Sequence, residues 1–341
     1  MSINTQEMAM TVAELTAPGK GILAADESVD TIAKRFKAVD VPNTKETRRD
    51  YREMLFSTPD LGSFISGVIM FEETLKQKSS AGVPLPELLK MQGILPGIKV
   101  DMGTVPLPSF PGETVTQGLE GLTQRLSEYK QLGARFAKWR AVIRIGAGTP
   151  TQGAIASNAY ALARYAAICQ EQALVPIVEP EVLMVGDHTL ATSARVTEDV
   201  LHAVFLALQQ QCVALEYIIL KPNMVVSGGD NLTPASPPEV ALATLNCLRR
   251  TVPAAVPGVF FLSGGQSETT STANLHAMNS TTEKQPWVLS FSFGRALQES
   301  ALETWRGNGS NKLLAQNALS KRARLNSAAT QGKYSTKMES S

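Results

Sequence analysis

The chain has 341 residues, 43% hydrophobic and 18% charged, with 32 Lys and Arg against 31 Asp and Glu, so its net charge is +1. This balance lacks the basic excess of a nucleic-acid binder, and any anionic partner has to be met by a local cluster of cations. No apolar run approaches the roughly 18 residues of a membrane span, residues 1–20 lack a secretory signal pattern, and Cys169, Cys212 and Cys247 form no C-x-x-C pair, which together predict a cytoplasmic chain with no membrane partner.

Eight short apolar runs follow in chain order: "KGILAAD" (20–26), "FISGVIMF" (64–71), "GIKVD" (97–101), "FAKWRAVI" (136–143), "LVPIVEPEV" (174–182), "EYIILKP" (216–222), "GVFFLSGG" (258–265) and "WVLSFSFG" (287–294). Each has the length of a strand buried on both faces. Helical patterns lie between them. Residues 156–173 carry Ala, Leu and Tyr on one side. Residues 197–211 place Val200, Leu201, Val204, Phe205 and Leu208 at helical spacing, with Thr197 as the expected N-cap.

Strand–helix alternation repeated eight times predicts an α/β fold, a (β/α)8 TIM barrel occupying residues 1–326 as one domain. An open doubly wound sheet is the alternative, but no G-x-G-x-x-G follows the first run. The Pro-rich residues 104–118 are expected to form a long loop after the third strand. The polar, aperiodic residues 327–341 are expected to be a flexible C-terminal tail.

Chemistry in such a barrel belongs at the C-terminal ends of the strands. Read in order, those ends carry Asp26, Glu72, Lys99 with Asp101, Lys138 with Arg140, Glu179 with Glu181, Lys221, Ser263 with Gly264, and Gly294 with Arg295. Strand periodicity puts Lys138 and Arg140 on one face and Trp139 on the other. Taken singly, Asp26 reads as a helix cap and Lys221 as a surface lysine. Delivered to one mouth by every strand, they read as an active site.

A lysine is a nucleophile only when neutral, and burial beside other cations favours that form. A neutral Lys221 at the end of Tyr217-Ile218-Ile219-Leu220 can attack a carbonyl and become an iminium, an electron sink for breaking an adjacent C–C bond. Glu179, Glu181 and Asp26 are available to move the protons. "LSGGQSE" and "FSFGRAL" offer backbone N–H groups and the Arg295 guanidinium as a phosphate site after the last two strands. His188, His202 and His276 are unpaired in sequence, with His202 in a helix that reads as packed. Without a ligand cluster, no metal is expected, and an amine is the expected electron sink.

"GKGILAADES", "GIKVD", "AKWR", "PIVEPE", "LKPNMV", "FLSGGQSE" and "FSFGRALQ" together closely resemble class I fructose-bisphosphate aldolase, the Schiff-base type, from about residue 10 to about 334. The resemblance implies a TIM barrel, assembled as a homotetramer, that reversibly cleaves a sugar bisphosphate with no metal cofactor. It implies Lys221 as the Schiff-base lysine, Glu179 as the main general acid/base and Asp26 as the carboxylate near the C4 hydroxyl. Lys138 and Arg140 match active-site cations, with Lys99 and Glu181 supporting. Ser263, Gly264, Gly294 and Arg295 match one phosphate site; Ser28, Thr31 and Arg35 fall where the family contacts the other.

Three departures accompany the likeness. Asp30-Thr31 stands where many members have Gly-Ser, Phe293 replaces a frequent Tyr, and the chain ends in "KMESS" without a terminal Tyr. A transaldolase-like transferase, or an aldolase for a monophosphate, is the nearest enzyme rival. A non-catalytic scaffold on the same fold is the rival of another class, and it has no need of Lys221, Glu179 or Asp26.

Overall fold

The computed structural model describes residues 5–340. Its strands are β1 (Gly21–Ala25), β2 (Ile65–Met70), β3 (Leu95–Lys99), β4 (Thr104–Pro106), β5 (Thr114–Thr116), β6 (Phe136–Ile143), β7 (Val175–Val182), β8 (Ile219–Leu220), β9 (Gly258–Phe261) and β10 (Val288–Phe293). Eight of them close a parallel barrel in the order β1-β10-β9-β8-β7-β6-β3-β2, while β4 and β5 pair as an antiparallel hairpin. The helices are α1 (Thr5–Leu15), α2 (Val29–Lys37), α3 (Lys45–Phe56), α4 (Glu72–Lys76), α5 (Leu85–Lys90), α6 (Leu122–Gln131), α7 (Gln152–Glu171), α8 (Leu190–Gln210), α9 (Pro237–Thr251), α10 (Glu268–Asn279), α11 (Arg295–Trp305) and α12 (Lys312–Thr330). The fold is the (β/α)8 barrel that the alternation predicts.

Strand alternation builds two cores. Along β6, Ala137, Trp139 and Ala141 face the helices, and the Trp139 ring stacks on Tyr165 of α7 with centroids 5.5 Å apart. Phe136 turns inward to a second cluster with Ile22, Ile69, Leu95, Val175, Ile177, Ile219 and Phe260. Gly97 gives that ring its room, since a Cβ there would lie 2.2 Å from it. Met8, Val12 and Leu15 of α1 join the inner cluster and seal the end opposite the strand C-termini. The inner core thus fills the lower barrel with apolar groups and leaves the upper barrel to charged ones.

The structure departs from the sequence reading in several places. Residues 104–118 hold the β4–β5 hairpin rather than a plain loop; Thr116 Oγ1 donates to the Arg140 carbonyl at 2.7 Å, and buried Glu113 accepts from Thr151 N and Oγ1 at 2.8 and 2.6 Å. Helix α8 starts at Leu190, capped by Thr189, whose hydroxyl accepts from Thr192 N at 3.2 Å. The expected cap Thr197 is instead buried within the helix, accepting from Asn223 Nδ2 at 3.2 Å. His202, expected to be packed, is exposed.

The sixth run narrows to the two residues of β8 because Leu215–Tyr217 forms a 3-10 turn. The boundary drawn after residue 326 falls inside α12. Beyond that helix, Tyr334 is buried and donates to Glu339 Oε1 at 2.9 Å, and Arg322 Nη1 meets Glu339 Oε2 at 2.5 Å. Residues 1–4 and 341, assigned above to the barrel unit and the tail, lie outside the described residues. No helix among the described residues is long and apolar enough to cross a membrane.

Candidate active site

The C-terminal ends of the strands surround a cavity of about 890 Å3. Every residue singled out from the sequence lines it: Asp26, Ser28, Thr31, Arg35, Lys99, Lys138, Arg140, Glu179, Glu181, Lys221, Ser263, Gly264, Gly294 and Arg295. The register explains the gathering. Lys99 pairs with Lys138 across β3 and β6, and Arg140 with Glu179 across β6 and β7, so side chains at one level of the barrel point to one centre.

At that centre three ammoniums alternate with three carboxylates. Lys138 Nζ lies 2.7 Å from Asp26 Oδ2 and 3.8 Å from Asp101 Oδ2. It is 3.3 Å from Glu179 Oε2, a charge contact not aligned as a hydrogen bond. Lys221 Nζ lies 3.1 Å from Glu179 Oε1, so Glu179 stands between both lysines. Lys99 Nζ meets Asp101 Oδ1 at 2.7 Å and donates to the Asp101 carbonyl at 2.6 Å. Beside them Arg140 Nε is paired with Glu181.

Lys138, Lys221, Glu179 and Asp101 are all buried. Charges so placed persist only when paired, and removing one partner leaves the others uncompensated. Burial alone would raise the Asp26 carboxyl, but the Lys138 and Lys221 ammoniums outweigh it and hold that group well below the usual carboxylate range. Burial alone would lower Lys138, yet Asp26, Glu179 and Asp101 outweigh it in turn and hold this ammonium above its ordinary value. Lys138 is therefore a fixed cation and Asp26 a fixed anion at neutral pH. Among the described residues no group of His, Cys, Asp and Glu side chains is arranged for a metal ion; the carboxylates that converge do so on an ammonium.

Small residues shape the two flanks. Gly264 and Gly265 have φ of +60° and +97°, the left-handed region, and a Cβ on Gly265 would come within 3.3 Å of Arg295 Nη2. Gly294 caps α11 and Arg295 opens it, with its guanidinium exposed at the cavity. Across the mouth Ser28 caps α2, accepting from Thr31 N at 3.3 Å, so two hydroxyls stand at the start of that helix. Phe293 is fully buried against Phe291, where the missing hydroxyl leaves no polar group to satisfy.

Among the lining residues that sequence reasoning passed over are Glu27, Gly265 and Ser292. The Ser292 hydroxyl is buried and has no partner among the described residues. Its signal was the alternation Ser290, Ser292 in β10, which turns small polar groups toward the barrel interior. Glu27 was masked by its neighbour Asp26. Glu72, read as a strand end, belongs to α4 and pairs with Lys76 at 2.5 Å on the exposed rim.

The family model for fructose-bisphosphate aldolase class-I matches residues 7–341. The chain is 55% identical to fructose-bisphosphate aldolase 6, cytosolic, of Arabidopsis thaliana over 328 residues, 96% of this chain and 91% of that one. It is 52% identical to a probable fructose-bisphosphate aldolase class 1 of Xanthomonas campestris, covering 97% of this chain and 99% of that one. The solved structure of fructose-bisphosphate aldolase from Plasmodium falciparum, in complex with TRAP and a small-molecule inhibitor, matches with a TM-score of 0.95 at 52% identity. The match covers 97% of this chain and 95% of that chain. A barrel whose mouth sets a buried lysine against a carboxylate, together with likeness of this depth over nearly its full length, identifies the chain as a member of the class I fructose-bisphosphate aldolase family, the lyases that cleave fructose 1,6-bisphosphate.

Proposed function

We propose that Lys221 carries the Schiff base and that Glu179 manages its protons. The observation behind this reading is the 3.1 Å contact between Lys221 Nζ and Glu179 Oε1, both buried at the centre of the charged mouth. Glu179 takes a proton from the lysine, the neutral amine attacks the C2 carbonyl, and the protonated Glu179 supports loss of water from the carbinolamine to give the iminium. Asp26, held as an anion by Lys138, takes the proton of the C4 hydroxyl as the C3–C4 bond breaks. The bonding electrons flow into the iminium to make an enamine, and glyceraldehyde 3-phosphate leaves. Protonation at C3 and hydrolysis of the iminium then release dihydroxyacetone phosphate and restore Lys221.

Lys138 fixes the charge of Asp26 and lies 3.3 Å from Glu179, while Arg140, Glu181 and Lys99 hold the surrounding lattice. Ser263, Gly264, Gly294 and Arg295 grip the phosphate next to the ketone; Ser28, Thr31 and Arg35 grip the second one. No step requires a metal. Cytosolic relatives at 55% and 53% identity support a cytoplasmic location, and the resemblance supports a homotetramer.

Borohydride added with dihydroxyacetone phosphate tests the central step. It should add the mass of the reduced substrate to the peptide containing Lys221. Labelling at another lysine, or activity abolished by EDTA, would remove the mechanism.

A further inference from the structure

The second carboxylate of "AADES" takes no part in the catalytic steps. Glu27 sits directly after Asp26, is buried, and lines the same cavity. Its Oε2 accepts from Arg52 Nη2 of α3 at 2.6 Å, and its Oε1 accepts from Gln298 Nε2 of α11 at 3.0 Å and from Arg35 Nη1 of α2. Gln298 is pinned in turn: its Nε2 donates to the Ala24 carbonyl of β1 at 2.8 Å, and its Oε1 accepts from Tyr51 OH at 3.2 Å. One strand and three helices thus fix the Glu27 carboxylate in place.

The charges in this group do not cancel. Glu27 and Arg52 are a matched pair, with side chains 5% and 3% exposed. Arg35 is a second cation on the same carboxylate, 25% exposed and lining the cavity. The surplus positive charge therefore lies on the one guanidinium that meets solvent. Among the described residues Glu27 is its only ion-pair or hydrogen-bond partner, and that contact uses Nη1. The remaining N–H groups of the Arg35 fork are left for a ligand.

A purely structural ion pair needs one cation, which Arg52 supplies. We propose that Glu27 is a positioning residue for the second phosphate: it holds Arg35 by one terminal nitrogen so that the rest of the guanidinium meets the phosphate already oriented. The proposal rests on Arg35 contacting that phosphate, as in the reading above. Holding a long side chain in place before binding removes the ordering penalty from the binding step, so the effect falls on KM for a bisphosphate.

The experiment compares kcat/KM for fructose 1,6-bisphosphate with kcat/KM for fructose 1-phosphate, the same sugar without the second phosphate. Glu27→Gln and Glu27→Asp should each lower the ratio of the two about tenfold, the effect of loosening one charge-assisted hydrogen bond, with the loss in KM rather than kcat. Glu27→Asp retains a carboxylate opposite Arg52 and draws it back from Arg35, so it decides the matter if Glu27→Gln does not fold.

Arg35→Ala tests the underlying assignment by itself. If it leaves the ratio unchanged, Arg35 does not grip the second phosphate and that reading fails. If Arg35→Ala lowers the ratio while the Glu27 variants leave it alone, or weaken both substrates equally, Glu27 is only a partner of Arg52 and the proposal is overturned. In the double variant Glu27→Asp with Arg35→Ala, the ratio should fall no further than in Arg35→Ala; losses that add would also overturn it.

Discussion

Lys138 touches Asp26, Asp101 and Glu179 at once, so it is the charge on which the others depend. Asp26 is held below its ordinary value; the stability this contributes is whole above about 3.9, the usual Asp value, and is lost as pH falls below that toward the depressed folded value. Lys138→Met should reverse the slope at higher pH. Glu179 and Asp101 would keep Lys221 and Lys99 as partners, but Asp26 would lose its 2.7 Å ammonium and, with the burial penalty no longer outweighed, would bind a proton more readily in the folded protein than in the unfolded chain. Stability should then rise as pH is lowered from about 7 to about 5, read as the urea midpoint at each pH. A midpoint that still falls or stays level would refute the account of Lys138. For turnover, Glu179→Gln and Asp26→Asn should each lower kcat by at least about a hundredfold, the range for lost acid–base function. Arg295→Ala should mainly raise KM, because it grips phosphate in ground and transition state alike. A Glu179→Gln enzyme with kcat within a few-fold of the parent would show its role to be misassigned.

At the scale of elements, legibility followed burial. The barrel strands could be read because both faces are apolar below the mouth, and the charged residues could be read because each interrupts such a run at its C-terminal end. The β4–β5 hairpin could not. Its strands are three residues long, mostly exposed or half-buried, and joined through a Pro-rich segment, so neither period nor hydrophobicity marks them. What fastens them is tertiary: Glu113 on Thr151 and Thr116 on the Arg140 carbonyl, partners 24 to 38 residues away. The start of α8 was hidden likewise, since residues 190–196 mix small, polar and apolar side chains without a long apolar stripe, and the Thr189 cap is the clearest mark of it. Glu27 escaped because, Arg35 of α2 apart, its partners come from α3 and α11, and no spacing along one segment announces them.

The segment after α12 is the remaining case. Tyr334 packs edge-on against His276 at 5.7 Å, Glu339 joins it to Arg322, and none of residues 335–340 lines the cavity. Deleting residues 335–341 should therefore lower the unfolding midpoint while leaving kcat on fructose 1,6-bisphosphate within about threefold, under 1 kcal/mol of barrier. A tenfold loss of kcat with the fold intact would show that this segment reaches the site.

The whole molecule divides its labour along the barrel axis. Met8, Val12, Leu15 and Phe136 fill one end, and the ionised lattice occupies the other. The outer helices carry Tyr160 of α7, Leu206 of α8 and Leu242 of α9, apolar side chains at least half exposed in the single chain. Sedimentation equilibrium of the intact protein should give four times the chain mass; a monomer at micromolar concentration would refute the homotetramer. Closure of the barrel rests on its first and last strands, β1 and β10, which meet at Ile22 with Ser292 and Leu23 with Phe293. During synthesis β1 therefore waits through some 270 residues for its second neighbour. Until β10 emerges, β1 and β9 are bare sheet edges, open to pairing with another chain. A message broken before codon 288 yields a product that is sticky as well as inactive. Such fragments are fit clients for chaperones and proteases, and the cell is given a reason to hold or destroy any copy that stops short.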